Sequence, residues 1–327
     1  MAKNGLPQVD IICACRNSPR YLPEMIESVL NQDYPRVELF VQDGASTDGT
    51  IDILRRYPIR WASVADNGIS QALNRAIEAT QGEVIGITNT DDLLQPGAVS
   101  AAAEIFKTNP QVVMVYGDCY QIDLEGRPFK VWKSMPFDLD WLFWECYIPG
   151  QTVYIRREAI RGTGGFDETL KLVQDLDLWL RLGSQYPAAS IEYIPRIQGS
   201  YRVVPNSAGL GNPRDSASCI LRVMSKFLDD SAKVACLKKG KSRAFAGISL
   251  QLVVSYLMAG ERWLACKTYL QAVRSYPPLL LMNKGMLTLP QLIAGDGLRR
   301  AYRRIEQKFW VWHVGKLVGS QSKMFPG

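Results

Sequence analysis

The chain has 327 residues, 47% of them hydrophobic and 21% charged, a balance that excludes a disordered or collagen-like protein. The formal net charge is +6, but it is divided unevenly. Residues 1–219 carry 20 Lys/Arg against 27 Asp/Glu, whereas residues 220–327 carry 18 against 5. An acidic first part and a basic last part suggest different partners for the two.

The cysteines and the apolar runs indicate the compartment. The seven cysteines are scattered without a CxxC pair, which predicts reduced, buried thiols. No apolar run reaches the ~20 residues that a spanning helix requires, and the opening residues do not resemble a signal peptide. We therefore expect a cytoplasmic protein.

The first hundred residues alternate between strand and helix patterns. Apolar runs predict strands at 9–15, 37–42, 60–64 and 83–88, and helical periodicity predicts helices after the first three of them. This alternation predicts an α/β fold with a mostly parallel sheet, because parallel strands need helical crossovers. From about residue 215 onward the pattern is helical.

Two acidic segments follow predicted strands. Asp91 and Asp92 end one strand, and Asp43 ends another before a turn rich in Gly, Ser and Thr. In such sheets ligands bind beyond the carboxyl ends of the strands, so both segments are predicted to share one rim. Paired carboxylates suit a hard cation on a diphosphate, and Asp43 could accept from a base or a ribose. The alternatives are a helix cap by Asp91 or Asp92 and an ordinary turn at Asp43.

A third group of acidic residues lies before and at the start of a helix that is predicted near residue 175. Asp175 could act as a general base on an acceptor hydroxyl, and Asp177 cannot share its helix face. The alternative is that first-turn acids only complement the helix dipole. No GxGxxG or GxxxxGK[ST] loop follows a strand, which disfavours dinucleotide oxidoreductases and P-loop kinases.

In this order, the segments resemble family 2 of the nucleotide-sugar glycosyltransferases, over about residues 7–207. The segments that carry the resemblance are Asp43–Thr50, Asp66-Asn67-Gly68-Ile69, Asn74, Thr88–Asp92, Gly165-Phe166-Asp167 and Asp175–Arg181. The resemblance implies a GT-A fold: a catalytic domain at 1–215, with a nucleotide-sugar half at about 1–110 and an acceptor half at about 111–215, followed by a basic helical extension at 216–327.

The resemblance also implies roles for single residues. Asp175 would be the catalytic base of an inverting transfer, and Asp91 would hold Mn²⁺ or Mg²⁺ on the donor diphosphate. The residues implied to bind the nucleotide sugar are Asp43, Asp66, Asn74, Asn89, Thr90 and Asp91, with Asp92, Gln174 and Arg181 as additional candidates. Asn89 and Gln174 depart from the acids frequent in the family. The QxxRW signature of processive synthases is absent, so one sugar per encounter is expected.

The basic extension carries no catalytic motif. Arginines and Lys308 recur at helical spacing over 299–308 beside Phe309, Trp310 and Trp312, a pattern that suits an anionic membrane surface. A glycan or lipid-linked acceptor and envelope or exopolysaccharide assembly would fit such docking, with the protein peripheral at the inner membrane face. The alternative is a solvated helical face packed on protein; nucleic acid is disfavoured for lack of a motif. For the whole chain the rival functions are a non-catalytic sugar- or nucleotide-binding protein and a sugar-nucleotide pyrophosphorylase.

Overall fold

A computed structural model describes residues 5–204 and 213–282. The first part alternates strand and helix as the sequence predicted. Its elements are β1 (Val9–Cys15), α1 (Leu22–Leu30), β2 (Val37–Asp43), α2 (Thr50–Leu54), β3 (Arg60–Ser63), α3 (Ile69–Ala79) and β4 (Val84–Asn89). The chain continues with β5 (Leu93–Leu94), α4 (Ala98–Thr108), β6 (Met114–Ile122), β7 (Pro128–Trp132), α5 (Leu139–Leu142), β8 (Tyr154–Arg156), α6 (Arg157–Gly162), α7 (Gln174–Gln185) and β9 (Ile191–Arg202). Short 3-10 turns lie at Gly150–Thr152 and Ala188–Ser190.

After the gap the described chain is helical, as predicted. The helices are α8 (Pro213–Leu228), α9 (Ser231–Ala235), α10 (Lys241–Met258) and α11 (Arg262–Ser275), followed by a 3-10 turn at Pro277–Leu281. None of the helices within 5–204 and 213–282 is both long and apolar enough to cross a bilayer. The basic residues 299–312 named above lie outside the described part of the chain.

The strands of the described residues form one sheet in the order β3-β2-β1-β4-β8-β6-β9-β5, with β7 paired to β6. β3, β2, β1 and β4 are parallel, whereas β8 pairs antiparallel with β4 and β6. The register places Cys15 of β1 opposite Asp43 and Ala14 opposite Asn89. The central strand β1 therefore ends with one acidic segment on each side, which confirms that the two segments share one rim.

Burial around β1 explains why this half folds as it does. Most of β1 is buried, because helices cover both faces of a parallel sheet. In α1 the buried side chains are Leu22, Met25, Ile26 and Val29, at helical spacing. Burying each of them contributes about 1.5–3 kcal/mol. The helix is thus fixed on the sheet by its apolar stripe, not by a side-chain cap.

The described residues divide into two compact units. One contains 5–120, 132–142 and 146–203, and the other contains 121–131, 143–145, 204 and 213–282. In the second unit, α10 packs against both α8 and α11.

The cysteine prediction holds only in part. All seven thiols are free, and Cys13, Cys15 and Cys119 are buried. Cys236 and Cys266 are exposed, so the expectation of buried thiols is wrong for them. Both cysteines lie in the helical second unit. The sequence pattern around them does not show which face of the helix is buried.

Candidate functional site

Asp43 closes the loop that follows β2. It is fully buried, and its carboxylate accepts hydrogen bonds from Ser46 Oγ (2.5 Å), Ser46 N (2.9 Å) and Ser63 Oγ at the end of β3 (2.6 Å). Ala45 adopts a left-handed conformation (φ 59°) between them. Asp43 therefore fixes the shape of the loop from behind. The N-cap position of α2 is Gly49, and Asp48 accepts hydrogen bonds from Thr50 N and Oγ1, so the segment after Asp43 is also compatible with the alternative of an ordinary turn into a helix.

Asp66 and Arg16 meet the same loop from the neighbouring strand ends. Asp66 is half-buried and accepts a hydrogen bond from Gly68 N (2.9 Å). A Cβ atom on Gly44 would lie 2.5 Å from Asp66 Oδ2 and 3.3 Å from Arg16 Cδ. Three loops thus converge at Gly44, and the absence of a side chain there is what allows them to approach.

The segment after β4 is organised around Asp92. Asp92 is fully buried and accepts hydrogen bonds from Asn89 Nδ2 (2.7 Å) and Arg202 N (3.0 Å). Burial and the neighbouring Asp91 raise its pKa. Asn89 stands where many family members have an acid, and its N–H donor reduces the cost of burying the Asp92 carboxylate. Helix α4 begins at Ala98 with Gly97 as its N-cap, which excludes the alternative that Asp91 or Asp92 caps it.

The carboxylate of Asp91 is half-buried at this rim. Desolvation raises its pKa, while its own backbone amide and the positive charge of Arg202 act in the opposite direction. Thr90, also half-buried, precedes it in the turn.

Arg202 is a site residue that the sequence analysis missed. Its side chain has no exposed surface; Nε donates to the backbone oxygen of Asp91 (3.1 Å), and the guanidinium pairs with Glu24 (2.6 Å). It also lies 4.3 Å from the centroid of the Tyr21 ring. Arg202 brings a cation behind Asp91 and Asp92 from the far end of β9. A single arginine in a strand pattern gives no signal of this, because its partners lie about 110 and 180 residues away.

Asp175 is the second residue of α7 and lies in its first turn. It is half-buried, its carboxylate accepts from Leu176 N (2.8 Å), and burial raises its pKa. Val173, the N-cap residue two positions before Asp175, is held at φ 55°, a conformation that is strained for a β-branched side chain. Helix-dipole complementation remains compatible with this position, but it does not account for the strain.

The turn Gly150–Thr152 links Asp175 to the acidic rim. A Cβ atom on Gly150 would lie 3.8 Å from Asp175 Oδ2. The same turn packs against β4, β5 and β9, the strands that flank Asp91 and Asp92. The candidate base and the strands beside the candidate metal ligand thus share this turn as a neighbour, although more than eighty residues separate Asp91 and Asp175 in sequence.

Asn74 holds the segment that leads to Asp175. Its Nδ2 donates to the oxygen of Phe166 (2.9 Å) and to Glu168 (3.0 Å), and its Oδ1 accepts from Phe166 N (2.9 Å). Ser70 Oγ donates to the oxygen of Leu170 (3.0 Å). Both N–H groups of the Asn74 amide are therefore used within the protein, which gives Asn74 a positioning role that its sequence motif did not indicate.

The remaining candidates on α7 have distinct places. Arg181 pairs with the buried Asp177 (2.6 Å) and donates to the backbone oxygen of Thr163 (2.7 Å), which ties α7 to the turn after α6. Asp175 and Asp177 thus have separate partners, as their spacing predicted. Gln174 is half-buried at the first position of α7.

The residues at the rim fit a metal ion that is shared with a substrate. Within the described residues there is no group of three or more His, Cys, Asp or Glu side chains arranged to hold a cation. Mg²⁺ and similar ions, however, are commonly held by one or two carboxylates together with substrate phosphates. Asp91 can supply such a carboxylate, whereas Asp92 is already engaged by Asn89 and Arg202.

Comparison with known proteins identifies the family. Residues 10–160 match the model of glycosyl transferase family 2. The chain is 28% identical over 194 residues to a chondroitin synthase of Escherichia coli; the match covers 58% of this chain and 28% of the length of that relative. Over residues 10–160, the chain therefore matches glycosyltransferase family 2.

Two solved structures share the fold. S. aureus TarS 1–349 in complex with UDP-GlcNAc has a TM-score of 0.61 at 16% identity, over 91% of this chain and 92% of that one. The mannosyltransferase PcManGT from Pyrobaculum calidifontis, in complex with GDP-Man and Mn²⁺, has a TM-score of 0.55 at 19% identity, over 97% and 87%. The fold is accordingly of the GT-A type.

Proposed function

We propose that this chain transfers one sugar from a nucleotide-diphosphate sugar to an acceptor hydroxyl, with inversion at the anomeric carbon. The match of residues 10–160 to glycosyltransferase family 2 supports the reaction class. The single observation that supports the mechanism is that the turn Gly150–Thr152 lies beside Asp175 and also contacts β4 and β5, the strands on either side of Asp91.

In the proposed step Asp175 is the general base. It takes the proton as the acceptor O–H bond breaks, and the acceptor oxygen forms a bond to the anomeric carbon from the face opposite the leaving group. The bond between that carbon and the diphosphate oxygen breaks, and the nucleoside diphosphate leaves with the electron pair. Burial raises the pKa of Asp175, so its carboxylate is a stronger base than that of an exposed aspartate. A general base transfers protons most efficiently when its pKa is close to the working pH.

Asp91 would hold the divalent cation. When bound, Mn²⁺ or Mg²⁺ would neutralise part of the negative charge that develops on the leaving diphosphate. Arg202 supports this role from behind, because its buried cation stabilises the ionised form of the acidic pair.

We assign the nucleotide to the rim formed by Gly44–Ser46 and Asp66. Asp43, which is fully buried, would act through the shape of this loop, whereas Asp66 and Arg16, which approach Gly44, would contact the nucleotide. A UDP-linked donor is favoured by the TarS complex with UDP-GlcNAc, while the GDP-Man complex of the mannosyltransferase keeps GDP as the first alternative. The E. coli chondroitin synthase supports a glycan or lipid-linked acceptor in polysaccharide assembly.

Calorimetry of UDP binding with and without Mn²⁺ tests this assignment. We expect Mn²⁺ to strengthen binding in the parent and in Asp175→Asn, and Asp91→Ala to lose that effect with at least a tenfold rise in Kd, on the order expected for a lost metal contact. Asp52→Ala, which removes an exposed acid from α2, is the matched control. Metal-independent UDP binding in the parent would refute the role of Asp91.

Turnover separates the enzyme from a binding protein on the same fold. UDP-sugars would be screened for donor hydrolysis and for transfer to glycan acceptors. Parent turnover that Asp175→Asn abolishes supports the base. UDP binding without turnover of any donor would favour the non-catalytic alternative.

A further inference from the structure

The outward face of α11 exposes large apolar side chains in the second unit. Trp263 is 71% exposed and Leu270, two turns further on, is 57% exposed. The 3-10 turn that follows adds Leu281, at 85%. The opposite face of α11 is buried through Ala265, Tyr269 and Ala272, so the apolar residues outside are not needed for packing. Large exposed side chains of this kind mark interaction surfaces.

The same face is basic. Lys267 and Arg274 are exposed one helical turn on from Trp263 and Leu270, and the Lys267 ammonium lies 5.2 Å from the Trp263 ring centroid. The sequence from 262 to 282 contains no Asp or Glu, and Glu261 just before it is paired with Arg214. Residues 213–282 as a whole carry 11 Lys/Arg and 4 Asp/Glu, a net charge of +7.

We propose that this face of α11, together with the turn Pro277–Leu281, docks on an anionic lipid bilayer. A helix that presents tryptophan and leucine beside lysine and arginine inserts its apolar groups at the headgroup level, while its cations meet the phosphates. Charge argues against a second copy of the chain, because two faces of the same strong positive charge would repel. A polyanion such as RNA would satisfy the cations but would leave the leucines in water.

This surface does not include the residues proposed for catalysis. Those residues lie within 16–202, whereas the docking face lies within 262–281, in the other unit. Variants of α11 are therefore expected to keep the parent's Kd for UDP. Loss of membrane binding can thus be distinguished from failure of the proposed catalytic site.

Vesicle co-sedimentation of the full chain tests the proposal. Vesicles of phosphatidylcholine with roughly 30% phosphatidylglycerol would be compared with phosphatidylcholine alone, at low and high salt. We expect binding to the anionic vesicles only, weakened by salt. Each charge near an anionic surface contributes about a fivefold change in partitioning, so Lys267→Gln/Arg274→Gln should weaken binding about 25-fold.

The apolar contribution needs its own variant and control. We expect Trp263→Gln/Leu270→Gln to weaken partitioning by more than about tenfold, because it removes two side chains that would enter the bilayer. Leu30→Gln and Arg55→Gln, which change exposed residues of the first unit, should bind as the parent does. Circular dichroism and the Kd for UDP would show that each variant is folded.

Three outcomes would overturn the proposal. Equal binding to both vesicle types would exclude an anionic surface as the partner. Parent-like binding by both α11 double variants would assign docking to another part of the chain, such as the basic residues 299–308. A parent that ignores vesicles but forms dimers, which Trp263→Gln/Leu270→Gln dissociates, would make this face an interface between copies.

Discussion

Replacement of Asn74 by alanine tests whether this residue positions the site or binds the nucleotide. The structure gives its amide three hydrogen bonds, two to the backbone of Phe166 and one to Glu168. Phe166 is buried, so its N–H and C=O would lose their partner where water enters poorly. Glu168 is exposed and can recover its hydrogen bond from solvent.

The expected loss of stability follows from this difference. A hydrogen bond contributes about 0.5–1.5 kcal/mol net, and a buried group left without a partner costs about 1–3 kcal/mol. Two buried backbone groups therefore predict that Asn74→Ala lowers the free energy of unfolding by about 2–6 kcal/mol. The segment 166–170 leads into Val173 and Asp175, so we also expect kcat to fall by about 10- to 100-fold through misplacement of the base.

Three measurements on one variant separate the two roles. Urea unfolding gives the stability, steady-state kinetics gives kcat, and calorimetry gives the Kd for UDP. Asn74→Asp is an intermediate case, because it can still accept from Phe166 N but cannot donate to its oxygen and faces the Glu168 carboxylate. Glu78→Ala, on the exposed side of the same helix, is the matched control.

If Asn74 only positions the site, the Kd for UDP should be nearly unchanged in Asn74→Ala. We expect Asn74→Ala to bind UDP within about twofold of the parent, a change of less than 0.5 kcal/mol. Unchanged stability and kcat with a Kd raised as much as in Asp66→Ala would refute the reasoning and assign Asn74 to the nucleotide.

Further predictions concern the rim and the base. Gly44→Ala should raise the Kd for UDP and destabilise the fold by about 1–3 kcal/mol, because its methyl group would collide with Asp66; urea unfolding and calorimetry check this. Arg202→Met keeps the backbone hydrogen bond to Asp92 but removes the buried cation, so we expect a loss of about 3 kcal/mol in urea unfolding and weaker Mn²⁺-dependent binding of UDP; parent-like values would contradict it. Because burial raises the pKa of Asp175, kcat/KM should fall as the pH falls through a value above that of an ordinary aspartate, and Asp175→Asn should show low activity without that limb.

Local sequence pattern was sufficient for the elements of the first half. The apolar run of β1 and the helical spacing in α1 predicted both elements, since a period is a property of neighbouring residues. The strand–helix alternation predicted the parallel sheet, and the parallel register then set Asp43 and Asn89 beside the end of β1. The helical character after residue 215 was predicted in the same way.

The sequence by itself also determined which chemistry is available: carboxylates at 43, 66, 91 and 175, in an order that indicates the family. Tertiary structure alone decided how those carboxylates are held. Arg202 lies behind Asp91 and Asp92, and Asn74 carries the segment before Asp175, because strand pairing and helix packing join residues about 90 to 110 positions apart. Such partners are chosen by the three-dimensional fold, and no local period of the chain encodes them.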